Sequence, residues 1–185
     1  NSGGENPKGD VISLRQGLAG SVNWVSAYLM KAYAGAPAYN ASEVIRFTRL
    51  MGVKSPIDPV PSICVGAAEV TVMEMAGAMA TFANLGEYVE PIIVTKICDN
   101  KGTVLETFTP ERHTAISQRT AYYIISMMKG VVTGGTGGRL MNTKYPYSIG
   151  GYGAAVAGKT GTTQNNSDAW FMGVTPKLAT AIWTG

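Results

Sequence analysis

The sequence contains few of the residues from which metal sites and nucleic-acid-binding surfaces are built. It has one histidine, His113, and two cysteines, Cys64 and Cys98, which lack the short spacing of a metal-binding pair. Its 15 lysines and arginines are scattered, and the net charge is only +3. We therefore expect no metal, no cofactor and no nucleic-acid partner. The cysteines are interpreted as buried thiols, with a disulfide as the alternative, and His113 as a solvated loop residue.

Long apolar runs are also absent from the sequence. No run approaches the ~20 residues that a membrane helix needs, and no signal peptide is recognisable. The sequence begins without methionine in a polar stretch and stops within the apolar run at 178–185. We interpret it as an excised part of a longer protein, so the missing targeting signals say nothing about location.

The apolar content is nevertheless sufficient for one globular domain, since 45% of the 185 residues are apolar. Helix-like segments come first and strand-like runs joined by short turns come last. This order predicts an α+β fold in which helices pack on an antiparallel sheet. Asn40, Thr71 and Ser117 are expected helix caps. The predicted helices span 12–21, 24–33, 40–52, 71–86 and 117–132, and the predicted strands flank a turn at 99–102 and span 154–162, 169–175 and 178–184.

The segment "GAAVAGKTGTT" at 153–163 fits two different motifs. Counted from Gly153 it is G-x-x-x-x-G-K-T, a phosphate-binding loop, and counted from Lys159 it is K-T-G-T. A phosphate loop needs an apolar strand before it and a helix after it. The flanking sequences "YPYSIGGY" and "GTTQNNSD" provide neither. The surroundings therefore favour the K-T-G interpretation, with an ordinary edge strand as its alternative.

A second motif supports the K-T-G interpretation. Ser21 to Asn23, "SVN", lies between two predicted helices and matches S-x-N, the partner motif of K-T-G in penicillin-interactive enzymes. On a strand, Lys159 and Gly161 face one side and Thr160 and Thr162 the other. A lysine and hydroxyl groups on such a strand can bind a carboxylate, and a glycine lets a substrate approach the backbone.

Longer blocks of the sequence resemble the transpeptidase domain of bifunctional, class A penicillin-binding proteins. These blocks are "SLRQGLAGSVN", "EVTVMEMAGAMATFANLGEYVEPIIVTKI", "MMKGVVTGGTGG" and "AGKTGTTQNNSDAWFMGVTP". The resemblance implies the fold shared by β-lactamases and these transpeptidases, here without its first strands and its extreme C-terminus. On this interpretation residues 1–185 form one partial transpeptidase domain. A β-lactamase is less consistent with the second and third blocks.

The resemblance also implies a reaction and a set of site residues. A serine of an S-x-x-K motif attacks the D-Ala-D-Ala bond of a peptidoglycan stem peptide, and the acyl group then passes to an amine of a neighbouring strand. By the same resemblance, Ser21 relays a proton, Asn23 binds the substrate amide and Lys159 supplies positive charge. Thr160 and Thr162 bind the terminal carboxylate beside Gly161, and the Thr162 N–H forms part of an oxyanion hole. Trp170 is expected to pack under the site.

Only Ser126, in "SMMK", is followed by a lysine three residues later. It comes after S-V-N, which is the wrong order for the family, and it falls deep in a predicted helix. Near the far end of a helix the dipole disfavours an oxyanion. We therefore expect the nucleophile to lie upstream of Asn1, and this chain alone to be inactive.

The same resemblance sets expectations about partners and location. It implies β-lactams and stem peptides as ligands, a glycosyltransferase domain in the same parent chain, and a membrane-anchored parent outside the cytoplasm. The alternative function is a penicillin-binding sensor or a catalytically silent homologue that binds cell-wall material.

Overall fold

The computed structural model describes residues 11–32, 41–145, 149, 155–163 and 167–185. These residues form helices and antiparallel sheets, and the predicted α+β class is confirmed. Two short 3₁₀ turns lie at Pro61–Val65 and Gly138–Leu140. The α-helices are α1 (Leu14–Ala19), α2 (Asn23–Ala32), α3 (Ala41–Leu50), α4 (Val72–Ala83) and α5 (Gln118–Thr133). The strands are β1 (Glu87–Val89), β2 (Lys96–Cys98), β3 (Val104–Thr107), β4 (Arg112–Thr114), β5 (Ala157–Thr162), β6 (Ala169–Val174) and β7 (Ala179–Thr184).

Hydroxyl side chains cap the N-termini of three of the described helices. The Thr71 hydroxyl accepts a hydrogen bond from the Glu74 N–H, and the Glu74 carboxylate accepts one from the Thr71 N–H, which is the predicted capping box. The Ser117 hydroxyl accepts from the Thr120 N–H at the start of α5, also as predicted. Ser13 caps α1 in the same way. The predicted cap Asn40 lies outside the described residues.

The main sheet is an antiparallel meander with the strand order β5-β6-β7. Its cross-strand partners include Lys159 with Met172 and Met172 with Ala181, so these three side chains share one face. That face packs on α4 and α5, where Met79 and Met128 are buried against Met172. The helices and the sheet therefore enclose one apolar core, and β5 forms an edge of the sheet.

Two smaller sheets lie outside this core. The predicted hairpin around 99–102 is β2 paired with β3, and it is exposed along both strands. A second pair, β1 with β4, was not predicted from the sequence. It contains His113, so the prediction of a solvated loop residue was wrong: His113 is half-buried and its Nε2 lies 2.8 Å from the Leu50 carbonyl oxygen.

The cysteine prediction is only partly confirmed. Both thiols are free, so the disulfide alternative is wrong. Cys64 is half-buried, beside the cluster of Met30, Ala41 and Ile63. Cys98 is exposed on the β2–β3 hairpin, so it is not the buried thiol that was expected.

Glu74 joins the start of α4 to the segment that follows α3. Its carboxylate accepts hydrogen bonds from the Lys54 N–H at 2.6 Å, the Ser55 N–H at 2.7 Å and the Ser55 hydroxyl at 2.6 Å. Burial by itself raises the pKa of Glu74. The hydrogen bonds from Ser55, Thr71 and Lys54 outweigh that effect and lower the pKa to about 2.

We predict that Glu74→Gln lowers the free energy of unfolding by about 1–2 kcal/mol at neutral pH, because charge-assisted hydrogen bonds are lost. Since the folded pKa lies below its ordinary value of 4.5, the stabilisation is complete above that value and is lost as the pH falls towards 2. The difference between the variant and the wild type should therefore shrink on acidification. Urea unfolding of both proteins at about pH 7 and about pH 4 measures it.

Glu106→Gln is the matched control, because Glu106 is exposed on β3. It should change stability by less than about 0.5 kcal/mol. An equal loss for Glu74→Gln at both pH values would show that the stabilisation does not come from the ionised carboxylate.

Candidate active site

Lys159 and Ser21 meet in the structure although 138 residues separate them. The Lys159 ammonium group donates a hydrogen bond to the Ser21 hydroxyl oxygen over 2.7 Å, and another to the Thr160 carbonyl oxygen over 2.7 Å. Lys159 lies on β5, and β5 pairs with the strand that contains Trp170, as predicted. The predicted approach of S-x-N to K-T-G is therefore confirmed as a direct contact.

The Lys159 amine is in an unusual electrostatic environment. Its side chain is on the face of the sheet that packs against the helices, and it is partly buried. Burial lowers the pKa of this amine. Among the described residues, no carboxylate lies within ion-pair distance of it. The charge is thus held in place by neutral oxygen acceptors and remains available to a negatively charged group.

The backbone around Ser21 is sharply bent. Ser21 has a φ of +52°, in the left-handed region that L-residues enter at a cost of about 1 kcal/mol. The turn is closed by hydrogen bonds from the Ser21 N–H to the Leu18 carbonyl and from the Val22 N–H to the Gly17 carbonyl. This bend directs the Ser21 hydroxyl towards β5 and is stabilised by the packing of the helices on either side.

Asn23 is the first residue of α2 and is exposed. The S-x-N motif therefore continues into a helix. Within the part of the chain that the structure describes, no hydrogen bond joins Asn23 to Lys159 or Thr160. The structure brings Ser21 and Lys159 together and leaves Asn23 beside them on the surface.

Ser126 lies inside α5, as predicted, and it is bound by a residue of α1. The Arg15 guanidinium donates one hydrogen bond to the Ser126 hydroxyl over 2.8 Å and a second to the Ser126 carbonyl. This contact fixes α1 on α5. The local geometry gives Ser126 a structural role in holding α1, the helix that precedes the turn at Ser21.

Thr160, Gly161 and Thr162 complete the predicted set of residues on β5. The Thr160 hydroxyl lies 2.5 Å from the hydroxyl of Thr136, a residue that was not predicted to belong to the site. A Cβ atom at Gly161 would lie 3.1 Å from the Trp170 Cβ, so a larger side chain would press on Trp170. Trp170 itself packs against the apolar core, as expected. Thr162 is exposed at the end of the strand.

Thr163, directly after β5, and Asp168, directly before β6, are joined by their side chains. The Thr163 hydroxyl donates to the Asp168 carboxylate over 2.8 Å, and the Trp183 indole N–H of β7 donates to the same carboxylate over 2.9 Å. These hydrogen bonds lower the pKa of Asp168, and the one from Thr163 has the largest effect. The ends of all three strands of the main sheet are thereby joined.

An open groove of about 1230 Å³ lies beside this end of β5. Gly161, Thr162 and Trp170 form part of one wall. Residues of α3, of the 3₁₀ turn Pro61–Val65 and of the segment before α4 form the other wall, and most of them are apolar. Thr162 therefore stands at the mouth of a largely apolar groove.

The arrangement of a lysine on an edge strand, a serine on a loop between helices and an α+β scaffold defines a penicillin-interactive transpeptidase class. The family model for the penicillin binding protein transpeptidase domain matches residues 2–184. The chain belongs to this family, and the resemblance inferred from the sequence is confirmed.

Relatives and solved structures agree with this assignment. Penicillin-binding protein 1A of Aquifex aeolicus is 31% identical over 174 residues, which are 94% of this chain and 22% of that protein. Penicillin-binding protein 1B of Escherichia coli is 35% identical over 132 residues, 71% of this chain and 15% of that protein. The chain therefore spans about a fifth or less of the length of these curated relatives.

The solved structure of PonA1 from Mycobacterium tuberculosis is 27% identical, with a TM-score of 0.77 over 96% of this chain and 48% of that one. A structure of PonA1 in complex with penicillin V matches with 27% identity and a TM-score of 0.75, over 96% of this chain and 49% of that one. These matches confirm the predicted fold.

The described residues include neither a membrane-spanning helix nor a metal-binding cluster. None of their helices combines the length and apolar character needed to cross a bilayer. No cluster of three or more His, Cys, Asp or Glu side chains with metal-binding geometry occurs among them.

We predict that Lys159→Met raises the free energy of unfolding of this chain by about 1 kcal/mol at neutral pH, because it removes a partly buried charge beside which no carboxylate lies among the described residues. The folded pKa of the amine is lowered, so the unfavourable effect is present at neutral pH and is relieved as the pH rises through that value. The gain should therefore shrink in alkaline buffer, as followed by urea unfolding.

Lys177→Met is the control, since Lys177 is exposed in the turn between β6 and β7. It should leave stability within about 0.5 kcal/mol of the wild type. A loss of stability in Lys159→Met would mean that the hydrogen bonds of the amine outweigh its desolvation.

Proposed function

We propose that this chain is the part of a class A D,D-transpeptidase that contributes the S-x-N and K-T-G motifs to peptidoglycan cross-linking. The observation that carries the proposal is the 2.7 Å hydrogen bond from the Lys159 amine to the Ser21 hydroxyl. A lysine and a serine from two distant segments form one polar pair at an edge strand, within a chain that belongs to the transpeptidase family.

Acylation begins when a serine oxygen attacks the carbonyl carbon of the penultimate D-alanine of a stem peptide. The C–N bond to the terminal D-alanine breaks and an ester to the serine forms, while the proton lost by the attacking serine hydroxyl is balanced by the proton that is relayed to the leaving amine. Because Lys159 donates to Ser21, the Ser21 hydroxyl is free to donate its own proton. We assign Ser21 the transfer of a proton to the leaving amine, and Lys159 the orientation of that hydroxyl.

The positive charge of Lys159 has a second role in this proposal. Negative charge develops on the carbonyl oxygen in the transition state, and a preorganised cation in a partly dry site stabilises it more than water does. We place the Thr162 backbone N–H in the oxyanion hole and the hydroxyls of Thr160 and Thr162 at the terminal carboxylate. Gly161 keeps the strand accessible, and Asn23 is assigned to the substrate amide.

The nucleophile in this proposal is a serine upstream of Asn1, in the parent protein. Two observations support that placement. The Ser126 hydroxyl is hydrogen-bonded to Arg15 within a helix interior, and the chain covers only 22% of its relative from Aquifex aeolicus. In the second half-reaction an amine of a neighbouring strand attacks the ester, forms the cross-link and regenerates the serine.

The proposed parent acts outside the cytoplasm, where its peptidoglycan substrate is assembled. It carries a membrane anchor and a glycosyltransferase domain in the same chain, as the class A resemblance implies. β-Lactams are proposed ligands because they imitate the donor peptide and acylate the same serine. The complex of the related PonA1 with penicillin V supports this assignment.

Replacing Lys159 with Ala in the full-length parent should lower the rate of acylation by a fluorescent penicillin by at least about tenfold, because a preorganised charge is lost where the transition state develops its own. Single-turnover labelling followed on gels measures the rate. Lys177→Ala is the control, and circular dichroism checks the fold. An unchanged acylation rate in Lys159→Ala would remove this residue from the mechanism.

The 185-residue chain on its own should not be labelled covalently by penicillin, because its motifs bind and orient but include no serine activated by its own lysine. Intact-mass spectrometry after incubation with a β-lactam tests this, with the full-length parent as the positive control. A stoichiometric adduct mapped to Ser126 would contradict the assignment of that serine to structure. One on Ser21 would require a different nucleophile from the one proposed.

A further inference from the structure

Two threonine hydroxyls meet at the edge of the main sheet, one from the proposed substrate strand and one from a loop with no assigned role. The Thr136 Oγ1 and the Thr160 Oγ1 are 2.5 Å apart. We propose that Thr136 is a positioning residue that directs the Thr160 hydroxyl towards the substrate carboxylate. The inference rests on the proposed function of Thr160 and extends it to the glycine-rich segment after α5.

The loop that carries Thr136 is held firmly against the helices. The Thr136 N–H donates to the Ala19 carbonyl at the end of α1 over 3.1 Å, and the Gly137 N–H donates to the Val131 carbonyl over 2.9 Å. A Cβ atom at Gly135 would lie 2.2 Å from the Ala19 carbonyl oxygen, so only glycine permits this approach. The position of the Thr136 hydroxyl is thus set by α1 and α5.

The hydrogen-bonding capacity of threonine fixes what the contact can do. Each hydroxyl has one proton to donate and two lone pairs to accept with. If Thr160 donates its proton to a carboxylate, its oxygen can accept the proton of Thr136. A chain of two hydroxyls ending on an anion is cooperative, because each donor polarises the next. When a carboxylate takes the proton of Thr160, Thr136 can donate its own proton to the Thr160 oxygen and so stabilise that orientation.

The backbone of Thr160 is held at the same time. Its carbonyl oxygen accepts a hydrogen bond from the Lys159 amine at 2.7 Å. Lys159 thus constrains the main chain and Thr136 constrains the side chain of one residue. This double restraint preorganises the proposed carboxylate site before a ligand arrives, and preorganisation lowers the entropy lost on binding.

The test compares penicillin G with its methyl ester, which lacks the free carboxylate, on the full-length parent. Thr136→Val should lower the second-order acylation rate for penicillin G by about fivefold, the effect of one net hydrogen bond. The rate for the ester should stay unchanged. Thr136→Ser should restore the wild-type preference for the acid. Thr133→Val is the control, since Thr133 is an exposed threonine at the end of α5 whose hydroxyl donates to the Lys129 carbonyl of the same helix.

The variants of Thr160 separate this inference from the proposed function. Thr160→Val should also lose the preference for the acid, and the double variant should be no worse than Thr160→Val alone. If Thr160→Val keeps the preference, the proposed role of Thr160 fails. If Thr160→Val loses it and Thr136→Val keeps it, the positioning role of Thr136 is overturned.

Two further outcomes also decide against the inference. An equal loss for the acid and the ester in Thr136→Val shows a merely structural role. If circular dichroism shows that Thr136→Val does not fold, the acylation rates of Thr136→Ser and Thr136→Ala are measured instead. A folded Thr136→Ala with the wild-type preference then overturns the positioning role.

Discussion

The packing of α5 against both α1 and β5 sets the distance between the two halves of the site. α1 ends at the turn of Ser21 and rests on α5 through Arg15. β5 carries Lys159 and packs on the same helix. Val131 and Val132 of α5 have no exposed surface, so this helix has little freedom to shift. A hydrogen bond of 2.7 Å between two distant segments requires such a rigid common support.

Two features of the candidate site lower the stability of the fold. Ser21 occupies a left-handed backbone conformation, and Lys159 holds a partly buried charge. Neither feature is favourable in isolation. Both are offset by ordinary packing elsewhere, above all by the methionine core between the helices and the sheet. The residues proposed to take part in transpeptidation are thus maintained by residues outside the candidate site.

Local signals in the sequence accounted for much of this structure. The cap at Thr71, the cap at Ser117 and the strand at Lys159 follow from short patterns, because each depends on atoms within a few residues. The meeting of Ser21 with Lys159 needed the family resemblance as well, since nothing local relates two residues this far apart. The α+β class followed from the order of the segments.

Other features depend on tertiary contacts that no local pattern encodes. β1 and β4 have three residues each, too few for a visible alternation, and their pairing puts His113 against the end of α3. The position of Thr136 beside Thr160 could be found only from the fold. The one related feature of the sequence is the density of glycines around Thr136. The glycines near Thr136 have a structural reason, because the backbone at Gly135 approaches the Ala19 carbonyl oxygen too closely for any other residue.

The tryptophans give the site an optical property of its own. Trp24 follows Asn23 directly on α2, Trp170 packs beside Gly161, and Trp183 lies 6.5 Å from Trp170 between ring centroids. The Trp183 indole N–H also donates a hydrogen bond to the Asp168 carboxylate, directly before β6. These are the three tryptophans of the chain, so tryptophan emission, excited selectively over that of the nine tyrosines, reports on the surroundings of Trp170 and Trp183 without an attached dye.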